Sequence, residues 1–306
     1  MGWALGNRAE IESRYAPLYT AIATGLCGSI TTFSVWILEV FRAFGDQKHY
    51  SRSGLQNVLD ALTQTLATLA VAHACLVAGE HFSRAVSVAR LLRVCGQGRP
   101  DSAEASAQES PNGSPGPPAA GHAKPAGHSA TTPWLDLSCL ALGLALWVGA
   151  ALLCALYAPW RHVTFSLVLA PPGTILRWYL SRLNAHPRSN RLRLPLGTLA
   201  ANLLATAIVC AAFVLQRVGR APGVGTRGAF TALGCAAAYG LEQGFCGCLS
   251  TISTFAVELR ACRPRHAVWY ASASWLAGIA LCVVLIGGPW WSIGMDGSCV
   301  TLYPVA

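Results

Sequence analysis

The chain has 306 residues, of which 53 % are hydrophobic and only 11 % are charged. Because soluble domains contain about 25 % charged residues, this composition excludes a disordered polymer, a coiled coil and a water-soluble globule. The formal net charge is +9, and in so apolar a chain the basic residues indicate membrane topology, so no nucleic-acid partner is expected. Residues 1–16 carry four charged residues and no apolar stretch, so we expect no cleavable signal peptide.

Seven stretches are long and apolar enough to cross a bilayer, which takes about 20 residues of helix. They are spans 1 to 7, at residues 18–41, 55–79, 134–157, 162–180, 194–215, 230–259 and 267–286. Thr132 and Pro133 are typical of a helix start, as N-cap and first helical residue of span 3. The sequence therefore predicts an all-α fold, a polytopic membrane helical bundle with about seven transmembrane helices.

Residues 98–131, between spans 2 and 3, are rich in Ala, Gly, Pro and Ser. Such a segment buries too little apolar surface to fold, so we interpret it as a disordered cytoplasmic linker. It divides the chain into a short N-terminal part, residues 1–97, and a longer C-terminal part. The latter comprises a connecting transmembrane helix at 132–160, further helices at 161–290 and a tail at 291–306.

Basic residues are distributed unevenly over the two sides that the alternating loops define. The side of the N-terminus holds Arg8, Arg14, Arg84, Arg90, Arg93, Arg99, Lys124, Arg182, Arg188, Arg191, Arg193, Arg260, Arg263 and Arg265. The other side holds Arg42, Lys48, Arg52, Arg161, Arg217, Arg220 and Arg227. Because the richer side is cytoplasmic by the positive-inside rule, we expect a cytoplasmic N-terminus and an extracellular C-terminus.

Clusters of catalytic or metal-binding side chains are scarce within the spans. Many of the twelve cysteines lie in apolar runs, where small buried thiols are expected rather than a disulfide scaffold. Cys246 and Cys248 lack nearby partner ligands, so they indicate small-residue packing more than a metal site. The spans hold no His, Asp and Ser constellation, and an enzyme is not expected.

An internal repeat is the strongest pattern in the sequence. Residues 25–36 read Gly-Leu-Cys-Gly-Ser-Ile-Thr-Thr-Phe-Ser-Val-Trp, and residues 244–255 read Gly-Phe-Cys-Gly-Cys-Leu-Ser-Thr-Ile-Ser-Thr-Phe. Glu39 and Glu258 follow the two copies at the same offset. Because span 1 runs outward and span 6 inward in the expected topology, the sequence predicts an inverted repeat, an arrangement common in transporters and channels.

The repeated motif combines glycines with a Ser/Thr cluster in mid-membrane, which weakens a regular helix and frees carbonyl groups. Such a break is tolerated only where it is buried in protein or lines a cavity. Two antiparallel breaks at the midplane direct carbonyls and hydroxyls at a small cation, or favour an anion through helix N-termini. The structural alternative is close helix packing through small residues.

These residues resemble the Fluc/CrcB family of fluoride channels, and more closely its eukaryotic two-domain form, the fluoride exporters (FEX). The broken-helix pattern of that family is Gly-Phe-Cys-Gly-Gly-Leu-Thr-Thr-Phe-Ser-Thr-Phe, followed by a glutamate. Three further motifs match: Gly173 with Arg177 and Tyr179, Gly197 with Thr198 and Asn202, and Tyr270 with Ser274. The resemblance covers a complete four-helix repeat at 161–290 and the last two helices of another at 1–97.

The resemblance implies passive, electrodiffusive efflux of fluoride across the plasma membrane. The pore residues it implies are Asn202, Phe33, Phe255, Tyr270, Ser274, Thr32 and Thr251. Amide and hydroxyl groups offer hydrogen bonds to a small, strongly hydrated anion, and aromatic ring edges are electropositive. The resemblance also implies a structural Na⁺ at backbone or hydroxyl oxygens of Gly28, Thr31, Gly247 and Ser250. The partners are then the fluoride ion and the lipid bilayer.

Several of these residues also have a purely structural interpretation. Arg177 either snorkels to the membrane interface or pairs inside the bundle. Asn202 either faces a pore or makes an interhelical hydrogen bond. Tyr270 and Ser274 lie one helical turn apart and are also consistent with simple packing.

Two departures from the family pattern distinguish the copies of the motif. Trp36 replaces the second phenylalanine of the first copy, and Ile252 replaces the first phenylalanine of the second. The two-domain form of the family has one working and one degenerate pore, which suits this asymmetry, and the sequence leaves open which pore conducts.

The N-terminal part contains no counterpart of the helix that carries Asn202. We therefore expect an incomplete N-terminal repeat, from a late-starting gene model or a shortened isoform. A small-ion transporter of another class and a truncated, non-conducting membrane protein are the alternatives. The two parts form a pseudo-dimer within one chain if the chain is complete, and a truncated chain pairs with another.

Overall fold

The computed structural model describes residues 1–46, 53–94, 133–217, 231–295 and Cys299. Within these ranges all regular elements are helices. This is the expected result for apolar spans, because a helix satisfies its own backbone hydrogen bonds where no water is available. The all-α fold is thus confirmed, whereas the linker at 98–131 and most of the tail at 291–306 lie outside the described residues.

The N-terminal part is built around one interrupted helix. Its elements are Gly2–Gly6, Arg8–Thr20, the π-helical turn Ala21–Cys27, Gly28–Ile30, Phe33–Phe44, Gly54–Ala85 and Val88–Val94. Thr31 and Thr32 have extended backbone conformations, with φ −109°, ψ 103° and φ −103°, ψ 121°. We call these two residues the first break.

The C-terminal part contains a second interrupted helix. Its elements are Pro133–Leu156, Ala158–Trp160, Arg161–Ser181, Arg182–Ala185, Pro187–Leu192, Leu196–Leu215, Ala232–Gly240, the π-helical turn Leu241–Cys246, Gly247–Leu249, Ile252–Ala261, Pro264–Cys282, the π-helical turn Val283–Gly287 and Gly288–Ile293. Ser250 and Thr251, both extended, form the second break. Each break follows a π-helical turn, a feature that is frequent at functional sites.

Five helical stretches of the described residues are long and apolar enough to span a membrane by themselves. They are Arg8–Phe44, Gly54–Ala85, Pro133–Leu156, Leu196–Leu215 and Pro264–Ser292. Spans 4 and 6 are also largely helical, at Arg161–Ser181 and at residues 232–249 and 252–261, but they are not among these five stretches. The total of about seven spans therefore stays a prediction.

The core of the bundle surrounds the two breaks, whereas the connecting helix Pro133–Leu156 stays outside it. Phe33, Phe255 and Tyr270 are among the largest fully buried side chains, while Cys154 is the buried residue of the connecting helix. That helix is attached to span 4 through Trp147, whose Nε1 donates to the carbonyl of Val168 at 2.9 Å. Its exposed leucines suit a lipid-facing helix, because hydrocarbon is as apolar as the leucine side chain.

Helix Leu196–Leu215 runs from one end of the bundle to the other. At its start the Gly197 N–H donates to Oδ1 of Asn184 at 2.6 Å, and just past its end the Gln216 carbonyl accepts from the Cys299 N–H at 3.1 Å. We call these the Asn184 end and the Gln216 end. A helix of this length is about 30 Å long, the thickness of a bilayer's hydrocarbon core.

Candidate functional site

The two breaks lie against each other and complete each other's hydrogen bonds. The Ser253 N–H donates to the Thr31 hydroxyl at 3.0 Å, and the Ser34 N–H donates to the Ser250 hydroxyl at 3.1 Å. These residues hold corresponding positions in the two copies of the motif, so the pairing is reciprocal. The Ile252 N–H also donates to the Thr31 carbonyl at 3.0 Å. Backbone groups that leave a helix inside a membrane need such partners.

The same hydroxyls explain why the helices stop at these positions. Thr31 Oγ1 donates to the carbonyl of Cys27, and Ser250 Oγ donates to the carbonyl of Cys246, both at 3.0 Å. Ser and Thr compete in this way with the backbone ladder and bend helices. A Cβ at Gly247 would lie 3.3 Å from the Thr32 methyl group, so a glycine lets the two breaks approach closely.

Asn202 holds the second break from the side. The Thr251 N–H donates to Asn202 Oδ1 at 2.8 Å, and Asn202 Nδ2 donates back to the Thr251 carbonyl at 3.4 Å. The side chain is 1 % exposed. The structure therefore shows the interhelical hydrogen bond, one of the two interpretations of Asn202. One hydrogen of Nδ2 is not used by this bond, since an amide nitrogen carries two.

Aromatic rings form a continuous row beside the breaks. The centroids of Phe33 and Phe255 are 5.6 Å apart at an interplanar angle of 73°, and those of Phe255 and Tyr270 are 5.0 Å apart at 64°. Trp36 extends the row, 5.4 Å from Phe33 at 82°. These edge-to-face contacts bring three of the predicted pore residues together, with electropositive ring edges in the core.

A polar cluster closes this row at the Asn184 end. Glu258 accepts hydrogen bonds from Tyr270 OH at 3.0 Å, from Asn184 Nδ2 at 3.3 Å and from Thr198 Oγ1. The sequence marks Glu258 only as part of the repeat, and it does not mark Asn184 as a site residue. The equal offset of the two glutamates was the available signal, but no local pattern indicates Asn184 as a partner.

Ser274 lies one turn from Tyr270 and is 1 % exposed. Its hydroxyl has no hydrogen-bond partner among the described residues. An unsatisfied buried polar group costs about 1–3 kcal/mol, so this hydroxyl is available to a ligand or a water molecule beside the aromatic row.

Arg177 pairs inside the bundle rather than snorkelling. Its side chain is 4 % exposed, and Nη2 donates to the carbonyl of Thr24 in the first interrupted helix. A Cβ at Gly28 would collide with the guanidinium, so Gly28 is the residue that admits it. The contact joins the two parts of the chain just before the first break.

Hydroxyl oxygens lie at two of the four residues that the resemblance implies for Na⁺, Thr31 and Ser250, whereas Gly28 packs against the Arg177 guanidinium. The hydroxyls of Thr31 and Ser250 each accept an N–H from the opposite break, and Gly247 packs on Thr32. Within the described ranges, no group of three or more His, Cys, Asp or Glu side chains is placed to hold a metal. Neutral oxygens without thiolates or imidazoles fit a hard alkali cation and not a transition metal.

A mostly apolar cavity of about 230 Å³ lies beside the crossing of the two breaks. Thr31, Ala72, Leu76 and Ile252 are among its lining residues, and none of the lining residues is aromatic. Ile252 holds in the second copy the position of Phe33 in the first. The cavity therefore differs from the aromatic row in one respect: its lining holds the hydroxyl residues Thr31 and Ser253 but no aromatic ring edges.

Comparison with known proteins relates part of the chain to a family. Residues 164–288 match the family "CrcB-like protein, Camphor Resistance (CrcB)". Fluoride export protein 1 of Neurospora crassa is 32 % identical over 91 % of this chain and 49 % of its own length. The protein of the same name in Candida albicans is 29 % identical over 92 % of this chain and 64 % of its own length. Fluoride export protein 1 of Schizosaccharomyces pombe is 27 % identical over 91 % of this chain and 78 % of its own length.

The chain thus spans about half the length of the Neurospora relative and less than two thirds of the Candida relative. No solved structure shows a significant match. The names of the relatives describe exporters and not enzymes. Residues 164–288 thus match the CrcB-like family, and the chain is similar over most of its length to fluoride export proteins.

Proposed function

We propose that the chain is a fluoride channel through which fluoride leaves the cell passively. The observation that carries the proposal is the continuous row of Phe33, Phe255 and Tyr270 with the unpartnered hydroxyl of Ser274 beside it. Ring edges and hydroxyls replace part of the hydration shell of a small anion. The names of the relatives support fluoride as that anion.

The pathway runs on the side of the crossing where the aromatic row lies. Asn202, Thr32 and Thr251 contribute the remaining polar groups at the breaks. The cavity at Ile252 has the hydroxyl residues Thr31 and Ser253 but no aromatic ring in its lining, so it is the degenerate pathway.

Export along this path needs no coupled ion. A membrane potential that is negative inside drives an anion outward by about 2.3 kcal/mol per 100 mV. We place the chain in the plasma membrane as a multi-pass protein. Its N-terminus is in the cytoplasm and its C-terminus outside, in keeping with the loop charges.

A structural Na⁺ at the crossing of the breaks belongs to this proposal. Gly28, Thr31, Gly247 and Ser250 would hold it through backbone or hydroxyl oxygens, and its charge would stabilise two helix breaks that meet at one point. The two parts of the chain then act as a pseudo-dimer around the ion.

Fluoride efflux from proteoliposomes tests the proposal. Purified chain in vesicles loaded with potassium fluoride should release fluoride when a potassium ionophore is added, as read with a fluoride electrode. Vesicles loaded with chloride should release little. Asn202→Asp and Phe33→Ile should reduce the fluoride signal. Equal release of chloride, or a flux that depends on a cation and not on fluoride, would contradict it.

A further inference from the structure

Cys235 and Cys299 are joined by a disulfide, unlike the small buried thiols that the sequence analysis expects. The bond links the helix Ala232–Gly240 to a residue beyond the helix Gly288–Ile293, 64 positions later in the sequence than Cys235. The other described cysteines are free. One pair is therefore singled out among many thiols.

The disulfide lies at the Gln216 end of the bundle. The Cys299 N–H donates to the Gln216 carbonyl at 3.1 Å, and Gln216 Nε2 donates to Glu242 at 3.0 Å. Cys299 is thus fastened to two elements, covalently to one and by a hydrogen bond to the other. Both fastenings are about 30 Å from the Asn184 end, one helix length away.

We infer that the disulfide is a strap on the extracytoplasmic face, and that the Gln216 end of the bundle faces an oxidising compartment. Disulfides form and persist in the secretory lumen and outside the cell, whereas cytosolic thiols stay reduced. The two thiols lose two protons and two electrons by exchange with a donor disulfide, which becomes a dithiol. This argument for orientation is independent of the loop charges.

A free cysteine at the opposite end provides an internal reference. Cys262 follows the helix Ile252–Ala261, which carries Glu258, the partner of Asn184, and it is partly exposed and free. It lies between Arg260 and Arg263. The inference therefore requires Cys262 to face the cytoplasm while Cys299 faces the outside.

Counting thiols tests the bond. Membranes are isolated in an alkylating agent, denatured, and treated with a mass-tagging maleimide with and without prior reduction. The full chain should gain two tags on reduction. Cys235→Ser and Cys299→Ser should each gain none, whereas Cys139→Ser, which removes a free thiol, should still gain two. A full chain that gains no tags would overturn the strap.

Two readouts on intact cells test the side. An epitope added after Ala306 should bind antibody on cells that have not been permeabilised. Cys262 should react with a membrane-impermeant maleimide only after the cells have been permeabilised. The reverse pattern would overturn the orientation. None of these readouts measures fluoride, so a chain that lacks fluoride flux but gives the expected tags contradicts only the proposed function.

Discussion

Asn202 and Thr251 are joined by two hydrogen bonds of opposite direction, one into and one out of the side-chain amide. A side-chain amide presents an acceptor and a donor side by side, which matches a backbone N–H and C=O. The Asn202 amide therefore pairs with both backbone groups of Thr251, as the backbone of a neighbouring strand would. Removing the amide leaves a buried N–H and a buried carbonyl of Thr251 without these partners.

Asn202→Ala should destabilise the chain by about 1–3 kcal/mol, the cost of unsatisfied buried polar groups. We expect a lower midpoint of thermal unfolding in detergent, measured by fluorescence-detected size exclusion. Thr206→Val is the matched control on the same helix, because its hydroxyl donates only to the Asn202 carbonyl one turn earlier. Equal midpoints for Asn202→Ala and the parent chain would show that the break does not need the amide.

Phe255→Leu should lower fluoride efflux by about tenfold, which corresponds to about 1.4 kcal/mol of barrier. The reason is that leucine fills most of the space but lacks the electropositive edge between Phe33 and Tyr270. Phe41→Leu is the control, since Phe41 is also buried but packs on Trp290, away from the row. The ratio of the two efflux rates from proteoliposomes is the measurement.

Ser274→Ala separates a ligand-binding role from packing. Because the hydroxyl has no partner among the described residues, its removal should leave stability unchanged or raise it by up to about 1–3 kcal/mol. Fluoride efflux should nevertheless fall. A variant that is more stable and conducts as well as the parent chain would assign Ser274 to packing alone.

Tyr270→Phe keeps the ring against Phe255 and removes the hydrogen bond to Glu258. The expected loss of stability is about 0.6 to 1.7 kcal/mol, as for hydrogen bonds between transmembrane helices. Fluoride efflux should also decrease, because Glu258 no longer holds the ring of residue 270 in the aromatic row. Thermal midpoints and efflux rates are compared with those of Tyr179→Phe, whose side chain is largely exposed on the outside of the bundle.

Gly28→Ala should cost about 1–3 kcal/mol, because the added methyl group collides with the Arg177 guanidinium. Gly143→Ala, on the connecting helix, is the matched control: nothing lies within 4 Å of its added Cβ. That control should gain about 0.5–1 kcal/mol, since alanine is the better helix former. Thermal midpoints of the two variants should therefore shift in opposite directions.

The breaks could be predicted from the sequence because the information is local, whereas the residues of the aromatic row came from the family resemblance and their contacts did not. Glycines and hydroxyl residues weaken a helix wherever they cluster, and the same pattern occurs twice. The partners of each residue depend instead on helix packing. Asn184 reaches Glu258 across 74 residues, and no periodicity indicates such a contact.

The disulfide could not be predicted from the sequence either, because its pairing depends on how the helices pack. Twelve cysteines allow many pairings, and only the packing of the helix ends brings Cys235 to Cys299. Arg177 is similar, since hydropathy alone does not distinguish a side chain that reaches for water from one that reaches for the Thr24 carbonyl.

The reciprocal bonds between the breaks also constrain how the protein is made. Ser34 and Ser250 are 216 residues apart, so the first break leaves the ribosome long before its partner exists. Until then its freed backbone groups have to find temporary partners in the translocation machinery or in water. The first interrupted helix is therefore inserted before its backbone hydrogen bonds are complete. They are completed only when the second interrupted helix has been inserted.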